Sequence, residues 1–249
     1  YGLEVVKNKV SVVNHPKFQK YHEVLEHLDY DITLLLDCDI AITNDNVRIE
    51  DIYEKYKTDI IIARDAQWKR MNVPINSGVI IFKNSEWTRE ILKKMKSATR
   101  SRSSKYLGKA LVDQPVLTQL LVKGGEIKDP SQSEFESGPH VTVVSQRIMN
   151  SFFRRGVSFF KTDPKESVWQ KGDWLAHVTG SPGHERIKIM QELGACENKN
   201  PKDHVKAAKT VANKCALLFF GLAKHFNDIV FPSIQKYILN INPDCDVYA

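Results

Sequence analysis

The sequence predicts an α/β protein in which helices alternate with the strands of a largely parallel sheet. Three observations carry that reading. Short continuous apolar runs, at Ile32–Leu36, Asp59–Ala63 and Val79–Phe82, have the length of buried strands. Amphipathic segments with apolar residues at helical spacing separate them, and such alternation favours parallel strands joined by helices. The first run also ends abruptly in two carboxylates, Asp37 and Asp39. Inside a buried strand these would be uncompensated charges. At the carboxyl edge of an open α/β sheet, where ligands bind, they have a use.

Bulk composition fits this class. A chain of 249 residues, 42% hydrophobic and 27% charged, is long enough to bury a sizeable core. The formal net charge of +6 is spread along the chain, with no basic stripe interleaved with aromatic residues, so no nucleic-acid partner is expected. Cys38, Cys196, Cys215 and Cys245 form no CxxC pair and no zinc or disulfide pattern. No apolar run reaches the length of a membrane span, and no signal peptide is visible. Gly2–Val6 reads as a strand already inside a domain, so further sequence is expected upstream.

In chain order, His15-Pro16 opens a helix running to Leu28, with Phe18, Tyr21, Val24, Leu25 and Leu28 on its apolar face. The Asp-tipped strand follows, then a loop at Thr43–Asn46, a helix at Ile49–Tyr56 and the strand 59–63. Arg64–Val73 reads as a loop near the site, Pro74–Gly78 as a turn and Val79–Phe82 as a strand. Trp87–Met95 is a helix. Ser97–Lys105 is a serine- and arginine-rich loop, either solvated surface or a basic flap over an anionic ligand. Asp113-Gln114-Pro115 opens another helix, with Val116, Leu117, Leu120 and Leu121 as its buried face. After a linker at Asp129–Pro139 come a strand at Val141–Val144, a segment at Ser145–Phe153 and a strand at Asp173–Val178 that ends in a glycine-rich turn. A helix runs from His184 to Leu193. Beyond Asn198 the chain reads as a linker and then helices broken at Pro232. The expected division is therefore a domain at 1–197 and a helical C-terminal extension at 198–249.

Several residues are candidates for chemistry. Asp37 and Asp39, flanking a turn, can share one hard divalent cation whose shell a diphosphate completes. An apolar strand ending in two aspartates also opens the haloacid dehalogenase-type phosphatases. Those want Gly-Thr after the second aspartate and a later Gly-Asp-x-x-x-Asp; here Ile40-Ala41 follows, and the later match at Gly172-Asp173 ends in His177. His177, at a strand end before Gly180 and Gly183, is either structural or a third ligand, and its imidazole suits Mn²⁺ better than Mg²⁺. Asn76-Ser77-Gly78 is a plain turn or a polar lip for a sugar. Asp113-Gln114 is a helix cap or a carboxylate and amide set against a sugar ring.

The order of these features resembles the retaining GT-A glycosyltransferases, and among them the Golgi galactosyl/xylosyl/mannosyltransferase family, with the glycogenin-like family more distant. The matching stretches are His15-Pro-Lys-Phe-Gln-Lys20, Leu34-Leu-Leu-Asp37-Cys-Asp39, Ile75-Asn76-Ser77-Gly78 through Asn84 and Trp87, Asp113-Gln114, Asn150-Ser-Phe, and Gly172-Asp173 through His177 to Gly180. The resemblance implies a GT-A fold, a Rossmann-like mixed sheet flanked by helices, whose first nucleotide-binding strand lies before Tyr1 and is missing from this sequence. It implies metal ligation by Asp37, Asp39 and His177. Lys20, Asn76, Ser77, Gly78 and Gly180 would line the nucleotide sugar, while Asp113 and Gln114 would sit near the anomeric carbon and the acceptor. The relatives' lysine after the His-x-x-Gly turn is absent, so Arg186 or His184 would serve the diphosphate. The expected activity is Mn²⁺- or Mg²⁺-dependent retaining transfer of a hexose or pentose from a nucleotide-diphosphate sugar, with UDP the expected nucleotide, to a glycan or glycoconjugate hydroxyl. A Golgi lumenal location with an upstream membrane anchor goes with it. The rivals are the phosphatase and a degenerate transferase fold that binds sugar or protein without turnover.

Overall fold

A computed structural model describes residues 16–65, 74–98, 113–127, 138–153, 164–179, 183–193, 215–220 and 245–248. The sequence readings at 2–6, 66–73, 99–105 and 129–137, Gly180, the linker beyond Asn198, and the helical reading at 203–214 and 221–240 with its break at Pro232 lie outside them. The described chain runs α1 (Pro16–Glu26), β1 (Ile32–Asp37), β2 (Ile40–Ile42), α2 (Ile49–Tyr56), β3 (Ile60–Arg64), β4 (Ile75–Lys83), α3 (Glu86–Ala98), α4 (Asp113–Lys123), β5 (Val141–Val144), α5 (Gln146–Met149), β6 (Ser151–Phe152), α6 (Pro164–Ser167), β7 (Leu175–His177), α7 (Gly183–Glu192), β8 (Cys215–Phe220) and β9 (Cys245–Tyr248).

The main sheet has the order β5-β3-β4-β1-β8-β9, and a small second sheet has the order β2-β7-β6. The main sheet is mixed rather than largely parallel: β4 runs antiparallel to both β1 and β3, while the β1–β8, β3–β5 and β8–β9 pairs are parallel. The two-residue periodicity of the strands distributes their side chains between two cores. Leu34, Leu36, Ile61, Val79 and Ile81 meet Ile40, Ile42, Ile49, Ile52, Met149 and Trp174 on one face. Leu35, Ile60, Ile62, Ile80 and Phe82 meet Phe18, Tyr21, Val24, Leu92, Met95 and Leu117 on the other. Both faces are covered, so the strands read as unbroken apolar runs rather than alternating ones.

Three sequence readings are corrected. Asn76–Gly78 is not a turn but the opening of β4, where Ala63 pairs with Asn76 across a bulge between Ile62 and Ala63. The bulge lets a polar Asn-Ser-Gly start continue an apolar strand while turning its side chains toward the site. Ile40–Ile42, unassigned in the sequence reading, is the short strand β2. Within the stretch read as a helical extension, Cys215–Phe220 is a strand, and Cys245–Tyr248 further on is another. The run Cys-Ala-Leu-Leu-Phe-Phe carries no polar residue to make a helix amphipathic. Its backbone adds instead to the free edge of β1, from Ile32↔Cys215 to Asp37↔Phe220.

Candidate active site

The site forms where β1 leaves the sheet. Asp37 is the last residue of β1, and a two-residue turn, Cys38-Asp39, leads from it into β2. β2 then pairs antiparallel with β7, setting Ile40 opposite His177. The Val178 N–H donates to the Asp39 carbonyl at 2.8 Å. This pairing carries a histidine distant in sequence to the aspartates. His177 is buried, its Nε2 lies 3.2 Å from Asp39 Oδ1, and Phe152 packs edge-on against its ring at 5.5 Å.

One ligand atom from each of Asp37, Asp39 and His177 lies within 4.8 Å of the others. Metal–ligand bonds of roughly 2.0–2.6 Å place two ligands of one ion at most about 5 Å apart, so the spacing fits a single divalent cation. Two carboxylate oxygens and an imidazole nitrogen also suit Mn²⁺ or Mg²⁺. Without a cation the charges find partners within the protein. Burial would raise the pKa of Asp39, but His177 and then Arg186 outweigh it and bring it down to about 2. Burial likewise works against the charge of His177, while Asp39 pushes its pKa above the ordinary histidine value. Arg186, from α7, reaches Asp39 Oδ2 with Nη1 at 3.1 Å.

A second cluster adjoins the triad through Lys20. This buried lysine of α1 sits 2.8 Å from Asp113 Oδ2 and 3.4 Å from Asp37 Oδ1. It also donates to the Ser77 carbonyl at 3.1 Å. Burial disfavours its charge, yet Tyr21, Asp37 and Asp113 hold its pKa above the usual lysine range. Asp113 Oδ2 also accepts from Tyr21 Oη at 3.1 Å and Ser77 Oγ at 2.9 Å. Burial opposes the ionisation of Asp113 as well, but Lys20 prevails and its pKa is lowered. Gln114 accepts from the Ser77 N–H at 3.1 Å and donates to Asp65 Oδ2 at 3.2 Å.

The structure thus brings Lys20, Asp37, Asp39, Asn76, Ser77, Gly78, Asp113, Gln114, His177 and Arg186 into one connected region. Gly78 is where β4 passes His177. A Cβ there would lie 2.6 Å from His177 Cε1 and 3.0 Å from both His177 Nδ1 and Asn76 Oδ1, so only glycine admits the ring. Asp65, Tyr21 and Asn150 were given no site role from sequence. Asp65 follows an apolar strand much as Asp37 closes one, a signal that was legible; Tyr21 reads as a core residue, and Asn150, though it lies in a stretch that carries the family resemblance, has no visible role until the fold is known. Asp173, the aspartate of the incomplete phosphatase-like match at Gly172-Asp173, is a structural staple. It pairs with Arg147 at 2.7 Å and accepts from Ser151 Oγ and the Gln170 N–H.

No curated protein matches the chain. Among solved structures it is similar to a glycosyltransferase involved in glycosylation of the major capsid of PBCV-1, at 16% identity and TM-score 0.46 over 74% of this chain and 81% of that one. It is also similar to the glycosyltransferase GlyE of Streptococcus pneumoniae TIGR4, at 15% identity and TM-score 0.45, over 97% of this chain and 64% of that one. The apo form of GlyE gives 14% identity and TM-score 0.47, over 98% and 65%. The chain therefore spans just under two thirds of GlyE. The family model described as nucleotide-diphospho-sugar transferase matches residues 7–185, and with well over half of its length inside that match the chain belongs to this family.

Proposed function

We propose that the protein is a metal-dependent, retaining glycosyltransferase that moves a hexose or pentose from a nucleotide-diphosphate sugar, UDP the expected nucleotide, to a glycan hydroxyl. The observation that carries this reading is the Asp37–Asp39–His177 triad at the carboxyl edge of β1, in a chain of the nucleotide-diphospho-sugar transferase family. These three residues would hold the cation, with Mn²⁺ the expected ion. When bound, it supplies Lewis-acid stabilisation of the charge that develops on the leaving diphosphate. Arg186, partly exposed beside Asp39, adds a guanidinium for the same phosphates.

In the proposed reaction the bond from the anomeric carbon to the phosphate oxygen breaks. The acceptor oxygen attacks from the same face, and its proton passes to the departing phosphate. Retention through a covalent intermediate would require a free carboxylate close to the anomeric carbon. Asp113 is a poor candidate, because one of its oxygens already accepts from Lys20, Tyr21 and Ser77. Its part is to hold Lys20 and Ser77. Gln114 gives one amide hydrogen to Asp65 and keeps a second for a sugar oxygen, a fixed dipole for developing charge. The reading also carries the expectation of a Golgi lumenal enzyme. No helix of the described residues is long and apolar enough to cross a membrane.

A panel of nucleotide sugars incubated with Mn²⁺, followed by donor hydrolysis and thermal shift, tests the function. Stabilisation and slow hydrolysis of one donor, both abolished by EDTA, are expected. Hydrolysis of an aryl phosphate with no response to any nucleotide sugar would overturn it. Mn²⁺-dependent donor binding without turnover over a broad acceptor panel would mark a non-catalytic sugar-binding fold instead.

A further inference from the structure

A continuous hydrogen-bonded chain leads away from the triad. His177 Nδ1 lies 2.8 Å from Asn150 Oδ1. Asn150 Nδ2 donates to Asn76 Oδ1 at 2.6 Å, and Asn76 Nδ2 donates to Asp65 Oδ2 at 2.9 Å. The same Asp65 oxygen accepts from Gln114. Asn76, Asn150, His177 and Asp65 are all buried.

The polarity of this chain is fixed at both ends. The Gly78 N–H, which can only donate, points at Asn76 Oδ1 at 2.9 Å. The Asp65 oxygen, with two amide groups directed at it, can only accept. Asn76 must therefore turn its nitrogen to Asp65 and its oxygen to Asn150. Asn150 must then turn its nitrogen to Asn76, and its oxygen faces His177. A ring nitrogen facing an amide oxygen has to carry a proton, so Nδ1 stays protonated, and the Nε2 proton, which faces Asp39 at 3.2 Å in the imidazolium, is the one given up, leaving the Nδ1–H form. That is the form of histidine a cation at the triad requires.

We propose that Asn150, held by Asn76 and Asp65, is a positioning residue that selects the Nδ1–H tautomer of His177 and so readies Nε2 for the cation. The inference rests on the reading of the triad as a metal site. It adds that Asn76, expected from sequence to line the donor, has both ends of its amide engaged within the protein. Through Asp65 the chain also fixes Gln114, so the metal ligand and the sugar-facing amide are parts of one hydrogen-bonded unit.

The test compares wild type with Asn150→Leu, which removes the acceptor, and Asn150→Asp, which keeps one. Two readouts are taken: the His177 tautomer in the metal-free protein, by long-range ¹H–¹⁵N correlation at alkaline pH, and Mn²⁺ affinity by calorimetry. Wild type and Asn150→Asp are expected to show the Nδ1–H form, and Asn150→Asp, which trades the amide donor to Asn76 for a second negative charge behind the ring, is expected to bind Mn²⁺ no more weakly than wild type. Asn150→Leu is expected to lose the single tautomer and bind about 10–100-fold more weakly, the usual range for losing a partner behind a ligand. A folded Asn150→Leu with the wild-type tautomer and affinity overturns the proposal. So does an Asn150→Asp protein that switches to Nε2–H, and this arm decides the matter if the leucine variant fails to fold. His177→Ala separates the two readings. If it binds Mn²⁺ as wild type does, the metal site is wrong, while the metal-free tautomer still decides the role of Asn150.

Discussion

Lys20 is one positive charge set between Asp37 and Asp113, and its removal should be felt in both folding and function. Taking away one member of a buried ion pair leaves the other uncompensated. Lys20→Met should therefore cost about 3–5 kcal/mol, measured by urea unfolding, through the stranded Asp113 carboxylate. Tyr21→Phe removes only one of several donors to Asp113, and a cost near the lower end of about 1.5–3 kcal/mol is expected. At the triad the prediction is of function rather than stability. His177→Ala and Asp39→Asn should each lower metal-dependent donor turnover at least about a hundredfold, beyond the effect of losing a supporting residue. Wild-type rates in either variant would remove the metal-site reading.

At the scale of elements, the site depends on how closely β4 and β7 approach. Gly78→Ala would drive a methyl group into His177. Overpacking of this kind costs about 1–3 kcal/mol, but the larger effect should be on Mn²⁺ affinity, with a loss of at least about tenfold as the ring tilts. β7 is itself anchored by Asp173, which burial alone would make harder to ionise but which the hydrogen bond from Arg147 holds at a lowered pKa. A carboxyl whose pKa is lower in the folded state stabilises above its unfolded value, about 3.9, and loses that contribution as pH falls through the folded value. Asp173→Asn should therefore be less stable than wild type at pH 7. The gap should close only below pH about 4, which a pair of acid titrations followed by circular dichroism would show. A gap that stayed constant to the lowest pH would mean that the staple acts through packing rather than charge. β8 supports β1 from the other side, and it lies between two partners. Leu218→Pro removes a ladder donor and should destabilise by about 3 kcal/mol or more.

For the whole molecule, cation binding and folding are linked. A ligand that binds only the folded state at a hundred times its dissociation constant adds about 2.7 kcal/mol of stability. In a protein of this size that raises Tm by roughly 5–10 °C, at about 2–4 °C per kcal/mol. Mn²⁺ should produce such a shift in wild type, EDTA should reverse it, and His177→Ala should show none. The sheet order explains why the effect is global. β1, which carries Asp37, is flanked by β4 and β8 in the interior of the sheet, so a cation held at its end is tied to a strand that both cores are built on.

What the sequence determined by itself was local. Apolar runs of strand length, the helical spacing of Phe18, Tyr21 and Val24, and two carboxylates ending a buried strand are one-dimensional signals. They identified the α/β class and the two aspartates proposed to hold a cation, because burying such runs leaves few alternatives and a carboxylate at a strand end calls for a partner. His177 at a strand end before glycines and Gln114 at a helix start were also legible as candidates, each beside a structural alternative, and the order of these features carried the family resemblance. Tertiary structure alone decided which residues lean on which. That β4 runs antiparallel, that Cys215–Phe220 forms a strand beside β1, and that Asn150 stands behind His177 all depend on pairings between distant segments. No local pattern encodes the partner in such pairings. Asn150 and Asp65 are polar residues whose meaning comes from the direction of the hydrogen bonds they complete, and that direction exists only once the strands have met.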